Sequence, residues 1–406
     1  MATIYFLVRP TMPTDRPLSP FSRRSFLQAS SAAVAFQILS EPLLAQISRG
    51  QISFPEGAVR INANENPLGP CQAAREAVVA ITPQSGRYHF YLTQDLVNMF
   101  AEQQGLKPEN VMIFPGSTPA LYYTVAAFTS PKASFVIADP GYEAGAGAAK
   151  AVGARVVNVP LTKTWAHDVK GMIAAAPDAG LFYVCSPNNP TGTPTSHEDV
   201  EYLVEHKPKG SIVMVDEAYI HFSDLPSCID LVKAGKDVVV LRTFSKIYGM
   251  AGLRCGFAIA RPDLLKKIDG WGGSDPMPVT ANAAAIASLK QPNLVAERKA
   301  ANSGVRQATF AWLDKNGYTY SPSVANCFML KAGKPAKEVI GAMAKQNVFI
   351  GRPWPSMPDW VRITVGTQTE MEQFQTAFQK VMKGEVVGRV YDPLLERNLD
   401  GVVRPA

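Results

Sequence analysis

The stretch TFSKIYGMAGLRCG, residues 243–256, follows the apolar run DVVVLR and brings an amine, hydroxyls and a guanidinium together. Lys246 comes one residue after Ser245 and eight residues before Arg254. A lysine near the end of a strand can form an imine with an aldehyde, and a hydroxyl with a guanidinium can hold a phosphate. The spacing therefore indicates a lysine that carries a phosphorylated cofactor, against the ordinary alternative of a solvated surface lysine.

Polar residues also follow other apolar runs. Tyr142 follows FVIA in DPGYEAG, Asn189 follows LFYVC in SPNNPTG, and Asp216 follows IVMV in DEAYIHF. Four apolar residues before Asp216 predict that its carboxylate is at least partly buried, where a charge has to be paired. Tyr142 alone is as compatible with packing, and SPNNPTG alone with a plain turn.

A small-residue turn follows VMIF. It is Gly116-Ser117-Thr118, and the sequence predicts Thr118 as a helix N-cap with Pro119 at the first helical position. Backbone N–H groups at such a turn can bind an anion. Many strand-to-helix turns have this composition, so the turn alone does not establish a phosphate site.

Seven short apolar runs are separated by longer segments, several of which carry helical signals. Because the runs are continuous rather than alternating, both faces of each predicted strand are expected to be covered. The pattern predicts an α/β fold with a mostly parallel, doubly wound sheet, in which ligands bind at the carboxyl ends of the strands. The runs are VMIF (111–114), FVIA (135–138), RVVNV (155–159), LFYVC (181–185), IVMV (212–215), VVVL (238–241) and GFAIA (256–260).

Four polar residues thus fall at the carboxyl ends of four predicted strands: Tyr142, Asn189, Asp216 and Lys246. Pyridoxal phosphate needs this set, because its aldehyde requires a lysine and its pyridinium nitrogen a carboxylate. Its ring needs an aromatic neighbour, and Asn189 and Tyr219 can supply donors to its phenolate oxygen. Each feature alone is weak, whereas their joint occurrence predicts a pyridoxal-phosphate site.

The sequence resembles the fold-type I pyridoxal-phosphate aminotransferases of class I/II, and within them the histidinol-phosphate aminotransferases. The resemblance covers roughly residues 60–384, and Asn189 precedes Asp216 by 27 residues, which precedes Lys246 by 30. The matching motifs are NANENPLGP (62–70), SPNNPTG (186–192), VDEAYIHF (215–222), RTFSKIYGMAGLRCGF (242–257) and VRITVG (361–366).

The resemblance implies a role for each matching residue around the cofactor ring. Lys246 would be the Schiff-base lysine and the acid/base for the proton shift, and Asp216 would pair with the pyridine nitrogen. Tyr142 would stack on the ring. Asn189 and the catalytic Tyr219 would hold the phenolate oxygen.

The resemblance also implies a homodimer with shared active sites, in which Tyr88 of RYHFY reaches the phosphate bound by the neighbouring subunit. Within one chain, the phosphate would be bound by Gly116, Ser117, Thr118, Thr243, Ser245 and Arg254.

Substrate contacts follow from the same resemblance. Arg362 in VRITVG would clamp the carboxylate of a small-molecule amino acid or 2-oxo acid, or the phosphate of histidinol phosphate. Arg352 in IGRPWP is a second anion-binding candidate, and Asn66 in NANENPLGP a third substrate contact. The expected reaction moves an amino group from an amino acid, or from histidinol phosphate, to a 2-oxo acid such as 2-oxoglutarate. A decarboxylase of the same fold and a non-catalytic ligand sensor stay open as alternatives.

The domain organisation that the resemblance implies is a large cofactor-binding domain followed by a smaller α+β domain. We expect a signal peptide at 1–45, an N-terminal arm at 46–80, the large domain at 81–289, the small domain at 290–384 and a tail at 385–406.

The N-terminus carries the parts of an export signal. Arg23 and Arg24 in SRRSFLQ precede a mild apolar run that ends near Ala45. The run is short for a membrane span, which needs about 20 residues. The pattern resembles the twin-arginine signal, departing at Gln28. It predicts passage through the twin-arginine translocase to the periplasm, or a cytoplasmic protein if this segment is an amphipathic helix.

Composition excludes several other functions. The net charge is only +6, with Lys and Arg spread along the chain, so no nucleic-acid footprint is expected. The five cysteines are scattered without a CxxC pair, so no metal site is expected. No GxGxxG follows the first predicted strands, which argues against a nicotinamide enzyme.

Overall fold

The computed structural model describes residues 54–272 and 276–385. The predicted signal peptide at 1–45 and residues 386–406 of the predicted tail lie outside this part. Within the described ranges, the helices are all too short or too polar to cross a membrane.

A seven-stranded sheet forms the centre of the molecule, and its strands are the seven predicted apolar runs. The order across the sheet is β2-β8-β7-β6-β5-β3-β4, and β8 alone runs antiparallel to its neighbours. This confirms the predicted α/β fold with a mostly parallel sheet. The strands are β2 (Val111–Phe114), β3 (Ser134–Asp139), β4 (Val156–Pro160), β5 (Ala179–Cys185), β6 (Ile212–Asp216), β7 (Val238–Thr243) and β8 (Gly256–Ala260).

Helices cover both faces of the sheet, which is why the central strands are apolar without alternation. Every residue of β6, β7 and β8 is buried. The helices whose side chains enter this first core are α1 (Gln72–Ile81), α2 (Phe90–Gln104), α3 (Ser117–Phe128), α4 (Ala144–Ala151), α5 (Val169–Ala175), α6 (His197–His206), α7 (Ile229–Lys233), α8 (Pro262–Gly272) and α9 (Val279–Leu289).

A second hydrophobic core lies in the C-terminal part of the chain and contains two small sheets. Strand β1 (Val59–Ile61) pairs in parallel with β10 (Val348–Ile350), and β9 (Cys327–Lys331) pairs antiparallel with β11 (Trp360–Thr364). Helices α10 (Leu294–Lys315), α11 (Ala336–Ala344) and α12 (Gln368–Met382) pack around them.

The segment predicted as an N-terminal arm, 46–80, divides between the two cores where it is described. Strand β1 contributes Val59 and Ile61 to the second core, whereas α1 packs against α9 in the first. The predicted domain boundaries stay predictions.

Strand register gathers the chemically active residues at one edge of the central sheet. Cys185 at the end of β5 lies beside Asp216 at the end of β6. Since β8 is antiparallel, its first residue, Gly256, lies between Thr243 of β7 and Phe114 of β2. The loop before β8 therefore reaches the same edge as the loops that follow the parallel strands.

Candidate active site

Lys246 follows β7 and points its amine toward the N-terminal segment. Its Nζ donates a hydrogen bond to the carbonyl of Ala63 at 3.4 Å and lies 5.6 Å from the centroid of the Tyr219 ring. Burial, with a smaller contribution from the charge of Arg362, lowers the pKa of Lys246 to about 8. A larger uncharged fraction makes this amine a better nucleophile near neutral pH than an ordinary lysine.

Asp216 ends β6 with its carboxylate buried and hydrogen-bonded on both oxygens. Its Oδ2 accepts from the Tyr183 hydroxyl at 2.8 Å and its Oδ1 from the Ala218 N–H at 3.1 Å. Burial raises its pKa, and these two hydrogen bonds oppose the rise. A buried carboxylate held in this way fits the protonated nitrogen of a pyridine ring, which would supply the missing positive partner.

A cluster of phosphate-binding groups, which we call the cradle, lies where the loop before β8 meets the start of α3. Gly116 precedes the helix with a φ of +89°, and a Cβ added there would lie 2.7 Å from Cζ of Arg254. The Arg254 Nη1 lies 3.4 Å from the Ser245 hydroxyl, which in turn accepts from the hydroxyl of Thr243 at 2.9 Å. A helix N-terminus, two hydroxyls and a guanidinium together suit a phosphate.

The predicted N-cap at Thr118 is wrong. Helix α3 begins at Ser117 with Gly116 in the N-cap position, so Thr118 is the second helical residue and Pro119 the third. Only glycine adopts this positive-φ conformation readily, and it lets the helix begin earlier.

Tyr142, Asn189 and Tyr219 line the space between Asp216 and the second core. Tyr142 is half-buried, and burial together with the charge of Asp216 raises its pKa. The Asn189 Oδ1 accepts from Nη1 of Arg362 at 3.0 Å, and the Tyr219 hydroxyl accepts from Nδ2 of Asn64 at 3.1 Å. The two predicted phenolate-oxygen ligands are therefore held by other polar groups of the chain.

Arg362 reaches the site from β11. It is buried, its Nη2 donates to the carbonyl of Asn62 at 2.5 Å, and its Nε has no hydrogen-bond partner among the described residues. Burial lowers its pKa. A buried guanidinium with an unused donor suits a ligand carboxylate.

Three further predicted contacts of the site already have partners within the chain or lie on the surface: Arg352, Tyr88 and Asn66. Arg352 pairs with Glu143 at 2.6 Å, and Tyr88 lies on the surface, 65% exposed and stacked on Phe90. The Asn66 side chain donates to the Ile247 carbonyl and accepts from the Leu68 N–H, both at 3.1 Å. Its amide is thus used on the chain's own backbone, and its substrate contact stays a prediction.

Sequence reasoning missed three residues of the site: Asn64, Tyr183 and Trp354. Asn64 is almost fully buried and bonds Tyr219 and Thr364, and Trp354 lies against both Arg352 and Arg362. A tyrosine inside the apolar run LFYVC was a usable signal, because a buried hydroxyl needs a partner.

The residues at this edge of the sheet fit pyridoxal phosphate. They provide an amine for its aldehyde, a carboxylate for its ring nitrogen, an aromatic side chain and a phosphate cradle that a side chain at Gly116 would fill. In the described part of the chain, no cluster of His, Cys, Asp or Glu could hold a metal ion.

Comparison with known proteins agrees with this chemistry. The family model described as aminotransferase class I and II matches residues 56–378. A histidinol-phosphate aminotransferase of Symbiobacterium thermophilum is 35% identical over 330 residues, covering 80% of this chain and 90% of that protein. An aromatic amino acid aminotransferase of Cutibacterium acnes is 32% identical over 341 residues, covering 82% and 95%. The crystal structure of a histidinol-phosphate aminotransferase from Sinorhizobium meliloti in complex with pyridoxal-5'-phosphate has a TM-score of 0.76 at 26% identity, covering 81% and 92%.

Proposed function

The chain belongs to the class I and II aminotransferases and is a pyridoxal-phosphate-dependent aminotransferase; on this premise, we propose that it moves an amino group between an amino acid and a 2-oxo acid at the site around Lys246. The observation that carries the proposal is the meeting of a low-pKa amine, a buried carboxylate and the cradle of Gly116 and Arg254 at one edge of the sheet.

Each residue of the proposed site has a task that its surroundings suit. The Lys246 amine would bond the cofactor's aldehyde carbon and act as the base for the substrate Cα proton. Asp216 would keep a proton on the ring nitrogen, and Arg254, Ser245, Thr243 and the start of α3 would bind phosphate. When bound, pyridoxal phosphate supplies an electron sink for the substrate carbon.

Arg362 is the proposed carboxylate clamp. Its Nε is buried without a partner, while Nη1 and Nη2 are fixed by Asn189 and Asn62. A carboxylate that accepted from Nε would relieve the cost of this unsatisfied donor. We propose an amino acid or histidinol phosphate as the donor, because relatives named for aromatic amino acids and for histidinol phosphate both match this chain.

The decisive experiment uses purified full-length protein loaded with pyridoxal phosphate. Borohydride reduction followed by peptide mass spectrometry should find the pyridoxyl group on Lys246. A screen of amino acids and histidinol phosphate should then show conversion of the bound cofactor to its amine form and formation of the 2-oxo product. Labelling of another lysine would refute the proposed site, and release of carbon dioxide would identify a decarboxylase instead.

We also propose a homodimer with shared sites. The support is a run of exposed aromatic residues at the start of α2, where Tyr88, Phe90 and Tyr91 are each more than half exposed. Exposed apolar groups clustered in this way are typical of protein interfaces. Tyr88 would contribute to the phosphate site of the second chain.

Export to the periplasm by the twin-arginine route is the last part of the proposal. It rests on SRRSFLQ and the apolar run that follows, residues 22–39. This route transports folded proteins, which suits an enzyme that acquires its cofactor before export.

A further inference from the structure

An ion pair borders the proposed site on the side of the second core. The Nη2 of Arg352 lies 2.6 Å from Oε2 of Glu143, the residue that follows Tyr142. The Arg352 guanidinium also lies over the Trp354 ring, 3.9 Å from its centroid, and the Trp354 indole donates to the Gly141 carbonyl at 3.1 Å. Arg352 is thus held on one side by a carboxylate and on another by a fixed aromatic ring.

The ion pair belongs to the site and not to a remote surface. The charges of both Arg352 and Arg362 act on the Tyr142 hydroxyl, and both guanidinium groups lie over the same Trp354 ring. A substrate held by Arg362 would therefore extend close to Arg352 and Glu143.

Among the described residues around the site, one cation is left to bind the substrate. Arg254 lies in the phosphate cradle, Lys246 is needed for the cofactor, and Arg352 is neutralised by Glu143. Arg362 remains, with its unpartnered Nε. Arg362 can pair with one anionic group of a substrate, whereas a second anionic group would have no free cation to pair with.

We propose that Glu143 determines specificity: by pairing with Arg352, it favours substrates whose only anionic group is the α-carboxylate and disfavours side chains that carry a carboxylate or a phosphate. This inference rests on the proposed aminotransferase function. A second anionic group would have to displace Glu143 from Arg352 and then lie near its carboxylate, and such like-charge contacts are a common way of rejecting a ligand. On this basis aspartate, whose side chain carries a second carboxylate, is a poorer amino donor than phenylalanine.

The test compares wild-type protein with Glu143→Gln, and with Glu338→Gln at the start of α11 as a matched control outside the site. Single-turnover half-reactions with phenylalanine and aspartate give kcat/KM for each donor. We expect Glu143→Gln to raise the ratio of kcat/KM for aspartate to kcat/KM for phenylalanine by about tenfold or more, because a freed guanidinium binds the side-chain carboxylate. The control should leave the ratio unchanged.

Two further measurements distinguish a change in anion recognition from a general loss of folding or activity. Succinate, which cannot react, should perturb the absorbance of the bound cofactor at lower concentration in Glu143→Gln than in wild type. The double variant Glu143→Gln with Arg352→Gln should lose this gain, because no cation is freed. A wild-type preference for aspartate over phenylalanine, or a ratio unchanged by Glu143→Gln, would overturn the inference. Absence of a half-reaction with every donor would instead refute the proposed function itself.

Discussion

The carboxylate of Asp216 is buried, and its partners must offset the free energy lost when a charge is removed from water. We expect Asp216→Asn to keep the shape of the side chain and lose its charge, so that the ring nitrogen of the cofactor is no longer held protonated. Turnover should fall by at least about a hundredfold, the scale seen when one preorganised electrostatic contact is removed from an active site. The measurement is turnover at equal cofactor occupancy, judged by absorbance.

Asp168→Asn provides the matched control for this variant. Asp168 caps α5 by accepting from the Gly171 N–H at 2.9 Å, and asparagine caps a helix equally well. It should keep turnover and melting temperature. Near wild-type turnover in Asp216→Asn would mean that the carboxylate serves only the fold.

The lowered pKa of Lys246 gives a pH prediction. Burial disfavours the charged amine, so the uncharged form predominates above about pH 8 instead of above about 10.5. We expect the rate at which cofactor-free protein takes up pyridoxal phosphate to rise from pH 6.5 to about 8 and then to level off. The measurement is the initial rise in cofactor absorbance. A rate that climbs steadily to pH 10 would contradict the buried position of this amine.

Among individual residues of the site, the sequence predicted those that follow strands and missed those whose hydrogen-bond partners lie far away in the chain. Lys246, Asp216 and Asn189 could be found because each comes after an apolar run that predicts a strand end. Asn64 could not be placed, because its partners Tyr219 and Thr364 lie 155 and 300 residues away in the sequence. Nothing local to Glu143 indicates its pairing with Arg352.

The start of helix α3 is the element on which phosphate binding depends. Gly116 combines a φ of +89° with close approach of Arg254, so Gly116→Ala would both strain the backbone and fill the cradle. Gly210, before β6, also has a positive φ, of +88°, and nothing within 4 Å of an added Cβ, so Gly210→Ala strains the backbone without a side-chain collision. Both variants should lose stability, by about 1–3 kcal/mol for the backbone strain.

Only Gly116→Ala should weaken binding of pyridoxal phosphate, by tenfold or more, in an absorbance titration of cofactor-free protein. Equal affinities in the two variants would mean that phosphate binds elsewhere. The sequence predicted that this turn binds an anion but misplaced the start of the helix, because propensity favoured Thr118 and Pro119 and could not register the space that Arg254 requires. It likewise could not predict that β8 is antiparallel, since an apolar run has no direction.

At the scale of the whole molecule, the first question is where the protein works. We expect residues 1–50, fused to a reporter that functions only after twin-arginine export, to make the reporter active. The paired arginines are the recognised feature, so Arg23→Lys together with Arg24→Lys should abolish this activity. A reporter that is inactive with the native segment, or active in the double variant, would contradict the proposed periplasmic location.

The second question is whether one chain is a complete enzyme, and mixing two variants with impaired sites can answer it. Lys246→Ala removes the amine from its own site, whereas Tyr88→Phe removes a hydroxyl that, in the proposed homodimer, serves the partner's site. Tyr88 is 65% exposed and stacks only on Phe90 among the described rings, so its loss should leave each chain folded.

In a hybrid dimer, one site combines both lesions and the other combines Lys246 from one chain with Tyr88 from its partner. Random reassortment makes half of the dimers hybrid, so mixing the two variants after mild dissociation should give about a quarter of all sites the wild-type composition and raise activity accordingly. Mixing Lys246→Ala with Asp216→Asn is the control, because both residues belong to one chain's site under either arrangement and the hybrid has no intact site. Recovery in the first mixture alone would establish shared sites; no recovery there, with each variant folded and dimeric, would place Tyr88 outside the catalytic assembly.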